Sequence, residues 1–155
     1  MATSPNGNGG WYISLKKAGL TEVLEKNGIE WLNVFAVDNV LQRIADPVFI
    51  GATIEKHCAV GSKVVRKAAP DEKVGVMCLE DGKPSIVEYY ELTKEMMDAK
   101  NSKGDPAYNF GVILNYLFRV SDLETVVGKN LPLHIVEKQI PSINAVVNLM
   151  KPAKP

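Results

Sequence analysis

The apolar positions of this chain fall in short blocks whose period changes along its length. Residues 11–17 group Trp11, Tyr12, Ile13 and Leu15 in one or two helical turns, with Gly19 as a stop. Residues 20–26 form a short amphipathic helical pattern closed by Asn27-Gly28. Trp31-Leu32-Asn33-Val34-Phe35-Ala36-Val37 is nearly all apolar, as a strand buried on both faces would be. A helical pattern near Val40 breaks at Ala45-Asp46-Pro47. Proline disfavours helix at the residue before it and suits the first turn of the next one. That next helix is predicted over 48–58, and a strand over 63–67.

Beyond residue 73 the pattern changes. Residues 74–79 and 85–89 flank Glu80-Asp81-Gly82-Lys83-Pro84, whose Asp-Gly pair predicts a β-hairpin. A helix is predicted over 92–99, then a polar loop over 101–106. Residues 110–120 lean to strand, with a buried helix left open by periodicity. Ser121-Asp122-Leu123-Glu124 reads as a capping box opening a short helix to Val127. Another helix is expected over 133–139, stopped by Pro141, and a last strand over 145–149. Strand-helix alternation followed by a hairpin predicts an α/β domain with a mixed, mostly parallel sheet and an antiparallel β-hairpin insertion.

Composition narrows the class. With 155 residues, 46% hydrophobic and 23% charged, the chain suits one globular domain with a real core. Lys+Arg and Asp+Glu both number 18, so bulk charge draws it neither to nucleic acid nor to an acidic membrane. No apolar run is long enough to span a bilayer. Cys58 and Cys78 sit in unrelated contexts and are expected reduced and buried, in a cytosolic setting. With only His57 and His134 beside them, a structural zinc site is not expected.

Two stretches carry candidate chemistry. Gly7-Asn8-Gly9-Gly10 is a glycine-rich bend running into a helix, and such a bend lets a ligand approach the backbone closely. Asp38 follows the apolar run, at the end of a strand, where open α/β sheets bind ligands. An anion cradle with a carboxylate points to a phosphate and a divalent metal. Plainer readings suit most other polar residues. Lys63, Arg66 and Lys67 read as a solvated strand edge rather than a phosphate site. His134 and Met96-Met97 read as packing residues, and Tyr89 and Tyr90 should point to opposite faces.

Pro5-Asn6-Gly7-Asn8-Gly9-Gly10-Trp11-Tyr12 resembles the P-D-G-N-G-G-[LW]-Y segment of eukaryotic-type UDP-sugar pyrophosphorylases. The likeness continues in register through Val37-Asp38-Asn39-Val40-Leu41, Ala45-Asp46-Pro47-Val48-Phe49-Ile50-Gly51 and Lys63-Val64-Val65-Arg66-Lys67. Val74-Gly75-Val76, Val87-Glu88-Tyr89 and His134-Ile135-Val136-Glu137-Lys138-Gln139-Ile140-Pro141 complete it. The resemblance implies a partial GT-A-like, Rossmann-type nucleotidyltransferase core. It implies a reaction of UTP with a sugar 1-phosphate to give UDP-sugar and pyrophosphate, with Mg²⁺. Carried over, Gly7, Asn8 and Gly9 would line the sugar-nucleotide pocket and Asp38 would hold the metal and act in catalysis. Gly75 would admit the sugar to the backbone, and Glu88 and Tyr89 would meet its hydroxyls.

Two departures stand out. Asn6 replaces the usual Asp, and Val112 stands where the family's G-N-I segment has Asn. The second widens the expected sugar from N-acetylglucosamine to glucose or another sugar. The family's L-G-G-G-x-G-T-R-L loop, which lies before the glycine bend, is not in this sequence. Residues 1–155 are therefore expected to form the central part of a catalytic domain, cut at both ends and inactive alone. The other reading is a non-catalytic sugar-nucleotide-binding module. A sheet edge left open by absent strands would also permit self-association.

Overall fold

The computed structural model describes residues 8–126, 142–143 and 149–150. The predicted helix over 133–139, most of the strand over 145–149, and Gly7 lie outside them. In chain order the elements are α1 (Trp11–Lys17), α2 (Leu20–Lys26), β1 (Trp31–Phe35), α3 (Pro47–Glu55), β2 (Val60–Arg66), β3 (Val76–Glu80) and β4 (Lys83–Val87). They continue with α4 (Lys94–Asp98), β5 (Phe110–Arg119), α5 (Val120–Val126), β6 (Ser142–Ile143) and β7 (Leu149–Met150).

β5 is the spine of a five-stranded sheet. β2 runs antiparallel along one side of it, from Val60 opposite Phe118 to Arg66 opposite Phe110. The other side is shared. β1 pairs with residues 115–119, and β3 meets the far end of β5 through Val76 and Gly111. β4 completes a hairpin on β3. Around Ile113 this side of β5 lies between the two ladders, and a concavity opens there.

The α/β class holds, but the mixed, mostly parallel sheet is corrected: every strand pair among the described residues is antiparallel. The predicted strand-helix-strand unit does exist as β1–α3–β2. Its two strands share a direction, yet β5 lies between them and opposes both. A strand from late in the chain thus separates the pair that local alternation would join.

Local chemistry accounts for most elements. Asp46 caps α3 by accepting from Val48 N at 3.2 Å, with Pro47 opening the helix. Thr93 caps α4 through Met96 N at 3.2 Å. Asp81 (φ 50) and Gly82 (φ 75) both take left-handed backbone, the turn that matches the twist of a two-residue hairpin. α3 sits on β2 because Gly61 has no side chain: a Cβ there would lie 2.5 Å from Thr53 Oγ1 and 3.0 Å from the Phe49 ring.

The expected burial of both thiols is corrected, since Cys58 is exposed and Cys78 half-buried. Three local expectations are corrected as well. The helical pattern near Val40 forms turns, because Asn39 Oδ1 accepts from Leu41 N at 3.2 Å and Gln42 Nε2 donates to Ala36 O at 2.8 Å. Ser121 opens no helix, since α5 begins at Val120 directly from β5. Its Glu124 instead accepts from Tyr12 Oη at 2.5 Å and from Lys16 Nζ at 3.1 Å, fixing α1 to α5. Tyr89 and Tyr90 do not alternate between faces. β4 ends at Val87, so both lie in a turn, half exposed, with their rings edge to face at 5.2 Å.

Candidate functional site

The concavity beside β5 has a volume of 510 Å³. Three stretches far apart in sequence build it. The first brings Asn8 and Gly9 from the bend before α1 and Trp11 from the helix's first position. The second brings Lys73, Val74 and Gly75 before β3, with Glu88 and Tyr89 after β4. The third is one face of β5, Val112, Leu114, Tyr116 and Phe118, alternating as strand residues do, with Val34 of β1 beside them. Trp11 packs against Phe118 at 5.7 Å and Tyr116 against Phe118 at 5.9 Å, so one wall is an aromatic row.

The stretches flanking the β3–β4 hairpin add the polar side chains Lys73, Glu88 and Tyr89. Gly75 is buried, and a Cβ on it would lie 3.3 Å from both Glu88 Oε2 and Val112 Cγ2. Its carbonyl accepts from Val112 N at 2.8 Å and ties the start of β3 to β5. Glu88 is held by its backbone, with Glu88 N donating to Glu91 Oε2 at 3.0 Å and Glu88 O accepting from Glu91 N at 2.9 Å. Burial first, and the Glu88 carboxylate second, push the Tyr116 phenol above its ordinary value. Tyr90 is raised the same way, by burial and then by Glu88.

The wall of β5 is irregular where the concavity opens. Ser62 pairs with Tyr116 but Val64 with Val112, so β5 carries two extra residues in a bulge. Leu114, within it, has φ 50. A non-glycine residue held there costs on the order of 1–3 kcal/mol and persists only where its surroundings over-determine it.

Of the residues singled out from sequence, Asn8, Gly9, Gly75, Glu88 and Tyr89 share this one concavity. Asp38 is not in its lining. It lies exposed on the turn segment that leaves β1, four residues past the lining residue Val34. Among the described residues no group of three or more His, Cys, Asp or Glu side chains could hold a metal. Lys63, read as a solvated edge, is tied to Asp46 Oδ2 at 2.8 Å, and Lys67 Nζ donates to Pro70 O at 2.6 Å. The reading of the sequence missed Lys73 and the aromatic row. The period-2 face 112–114–116–118 could have revealed the row; nothing in the run Asp71-Glu72-Lys73 marks Lys73.

A second concavity of 590 Å³ lies on another part of the surface, lined by Glu25, Glu30, Trp31, His57, Arg119 and Glu124 among others. Two of its charged groups are committed elsewhere. Arg119 donates to Cys58 O at 3.2 Å and lies over the Trp31 ring, and Glu124 serves Tyr12 and Lys16.

Residues 1–154 match the family described as UTP–glucose-1-phosphate uridylyltransferase. The whole chain aligns with UDP-N-acetylhexosamine pyrophosphorylase-like protein 1 of Homo sapiens at 42% identity, and with UDP-N-acetylglucosamine pyrophosphorylase of Saccharomyces cerevisiae at 36%. It spans 31% and 33% of their lengths, about a third. A structure assigned as UDP-N-acetylglucosamine pyrophosphorylase from Entamoeba histolytica superposes with a TM-score of 0.81 at 34% identity. That superposition covers 97% of this chain and 38% of the other. A UDP-glucose pyrophosphorylase variant from Leishmania major shares the fold at a TM-score of 0.66 and 22% identity, covering 96% of this chain and 34% of its own. By sequence and by fold, the chain belongs to the UTP–glucose-1-phosphate uridylyltransferase family, and its sheet is part of that nucleotidyltransferase fold.

Proposed function

We propose that the concavity beside β5 binds the sugar of a UDP-sugar, in a protein that joins UTP and a sugar 1-phosphate and releases pyrophosphate. The observation that carries this is the meeting of Asn8, Gly9, Gly75, Glu88 and Tyr89 in one concavity that also holds an aromatic row. A pyranose has an apolar face and a rim of hydroxyls. Aromatic rings cover the first, and a carboxylate and an amide bond the second. Glu88 accepts from sugar hydroxyls and Asn8 bonds a further one. Gly75 keeps the backbone open to the ring, and Tyr89 flanks it. Val112 leaves that part of the wall apolar, so UDP-glucose and UDP-N-acetylglucosamine are both candidate ligands. Gly7 belongs to the same bend, outside the described residues.

Transfer between phosphates depends on positioning and charge neutralisation more than on covalent chemistry. Lys73, in the lining, supplies one positive charge. Mg²⁺ characteristically takes one or two carboxylates and completes its shell with water and substrate phosphates. A lone exposed Asp38 fits that donor set and would not hold the ion without the phosphates. When bound there, the ion would neutralise phosphate charge.

The test is calorimetric titration of UDP-glucose, UDP-N-acetylglucosamine and UMP, with and without Mg²⁺, beside an assay of pyrophosphate release. UDP-sugar should bind more tightly than UMP. Glu88→Gln should weaken UDP-sugar by roughly 10–100-fold, the size of a hydrogen bond to a charged group, and leave UMP unchanged. If Glu88→Gln alters neither, the assignment of the concavity fails. Binding without pyrophosphate release would favour the non-catalytic module.

A further inference from the structure

We propose that Asn33 is a positioning residue that locks the bulge of β5 and the Asp38-bearing turn segment into one arrangement. Its side-chain amide reaches three places at once. Asn33 Nδ2 donates to Asn115 Oδ1 at 2.9 Å and to Tyr116 O at 2.9 Å. Asn33 Oδ1 accepts from Ala45 N at 3.0 Å. Asn115 is almost wholly buried, 1% exposed, so its bond to Asn33 is shielded from water.

The three contacts fall beside two strained points. Ala45 has φ 49 and Leu114, next to Asn115, has φ 50; neither is glycine. Each conformation is costly alone and needs outside support. Asn33 supplies it to Ala45 directly, and to the bulge through Asn115 and Tyr116. Ala36 N, donating to Leu114 O at 3.0 Å, ties the near end of the same segment to the same bulge. Residues 36–45 are thus fastened at both ends to the stretch of β5 that lines the concavity. Asp38 sits between the two fastenings and lacks a fastening of its own in either ladder. Its place relative to Tyr116 and Leu114 is therefore set by both, the Ala36 bond on its near side and the Asn33 bond on its far side.

The segment's exposed apolar side chains give it little packing of its own. Val37, Val40 and Leu41 face solvent, so hydrogen bonds rather than burial define its path. In the β1–β5 ladder Asn33 lies opposite Leu117. Its polar side chain is the exception in an otherwise apolar strand, and the three bonds account for that exception.

The test uses the whole chain and two readouts. Asn33→Leu removes all three bonds, while Asn33→Asp keeps the acceptor for Ala45 N and loses the two donations. Hydrogen exchange should quicken on the order of tenfold in residues 36–45 of Asn33→Leu, as for the loss of one or two buried bonds, and stay within about twofold in α1 and in the β3–β4 hairpin. Asn33→Asp should retain protection at Ala45 N. Ala45→Gly in the Asn33→Leu background should restore part of the protection elsewhere in residues 36–44, by removing strain at φ 49, but none at position 45 itself, where the acceptor is gone.

The second readout rests on the proposed role of Asp38. The gain in UDP-glucose affinity on adding Mg²⁺, taken relative to each variant's own metal-free affinity, should fall by a similar factor in Asn33→Leu, since Leu114 and Tyr116 line the concavity and loosening them changes the metal-free affinity as well. Equal loss of protection in every element, or none in residues 36–45, would overturn the lock and leave Asn33 an ordinary packing residue. If the unaltered chain binds no UDP-sugar, the functional reading fails, while the exchange pattern still decides the lock.

Discussion

Gly75 shows how much one absent side chain can decide. A methyl group there would press on Glu88 Oε2 and Val112 Cγ2 at 3.3 Å and on Ile86 Cγ2 at 3.4 Å. All three are side-chain atoms that can give by a few tenths of an ångström. Gly75→Ala should therefore cost the fold only about 1 kcal/mol, at the low end for an added methylene, while displacing the Glu88 carboxylate. The expected result is a small shift in denaturant midpoint with a larger loss of UDP-sugar affinity. Tyr12 makes a second prediction at this scale. Burial first, then its bond to Glu124, pushes its phenol up to about 12 from the usual 10.0. The protonated phenol is thus favoured in the folded chain. Its contribution is full below pH 10.0 and lost as pH rises through about 12, so unfolding midpoints should fall across that window. Tyr12→Phe should lose about 1 kcal/mol at neutral pH and flatten that part of the profile. Gly75 was legible from the family resemblance, whereas the partner of Tyr12 lies 112 residues away and no local pattern names it.

At the scale of elements, α3 and β2 are joined by an ion pair that also caps the helix. Asp46 accepts from Val48 N and from Lys63 Nζ, and the Lys63 bond above all holds its carboxyl below the ordinary aspartate value. Such a group stabilises the fold above its unfolded value of 3.8, and the contribution is lost as pH falls below that. Asp46→Asn, which keeps a capping oxygen, should lower the melting temperature less than Asp46→Ala. Both should blunt the acid limb of the stability profile, which thermal melts between pH 2 and 6 would record. Asp46-Pro47 and Asp81-Gly82 were plain in the sequence because their backbone preferences are local. The strand directions were not. β1, α3 and β2 read as a parallel unit, and only long-range pairing shows that β5 enters between them. The bulge at Leu114 left no mark either, since leucine is a poor residue for left-handed backbone and tertiary contacts hold it there.

Across the whole molecule, apolar surface is unevenly placed. Val37, Val40 and Leu41 are each about nine-tenths exposed, and Val48 73%. Exchanging Val40 and Leu41 for serine should leave the unfolding free energy within roughly 0.5 kcal/mol, because neither is buried, while reducing binding of a hydrophobic dye. The family was legible because short motifs keep their order along nearly the whole chain. Their convergence on one concavity was not, since it depends on β1 and β3 meeting β5 at opposite ends. The chain's two tryptophans are divided between the two hollows of the surface: Trp11 leans on Phe118 in one, and Trp31 lies beneath Arg119 in the other. Changing Trp31 to phenylalanine would leave a single tryptophan beside the aromatic row, so that filling of this hollow could be followed by light alone, with excitation at the red edge where the five tyrosines do not absorb.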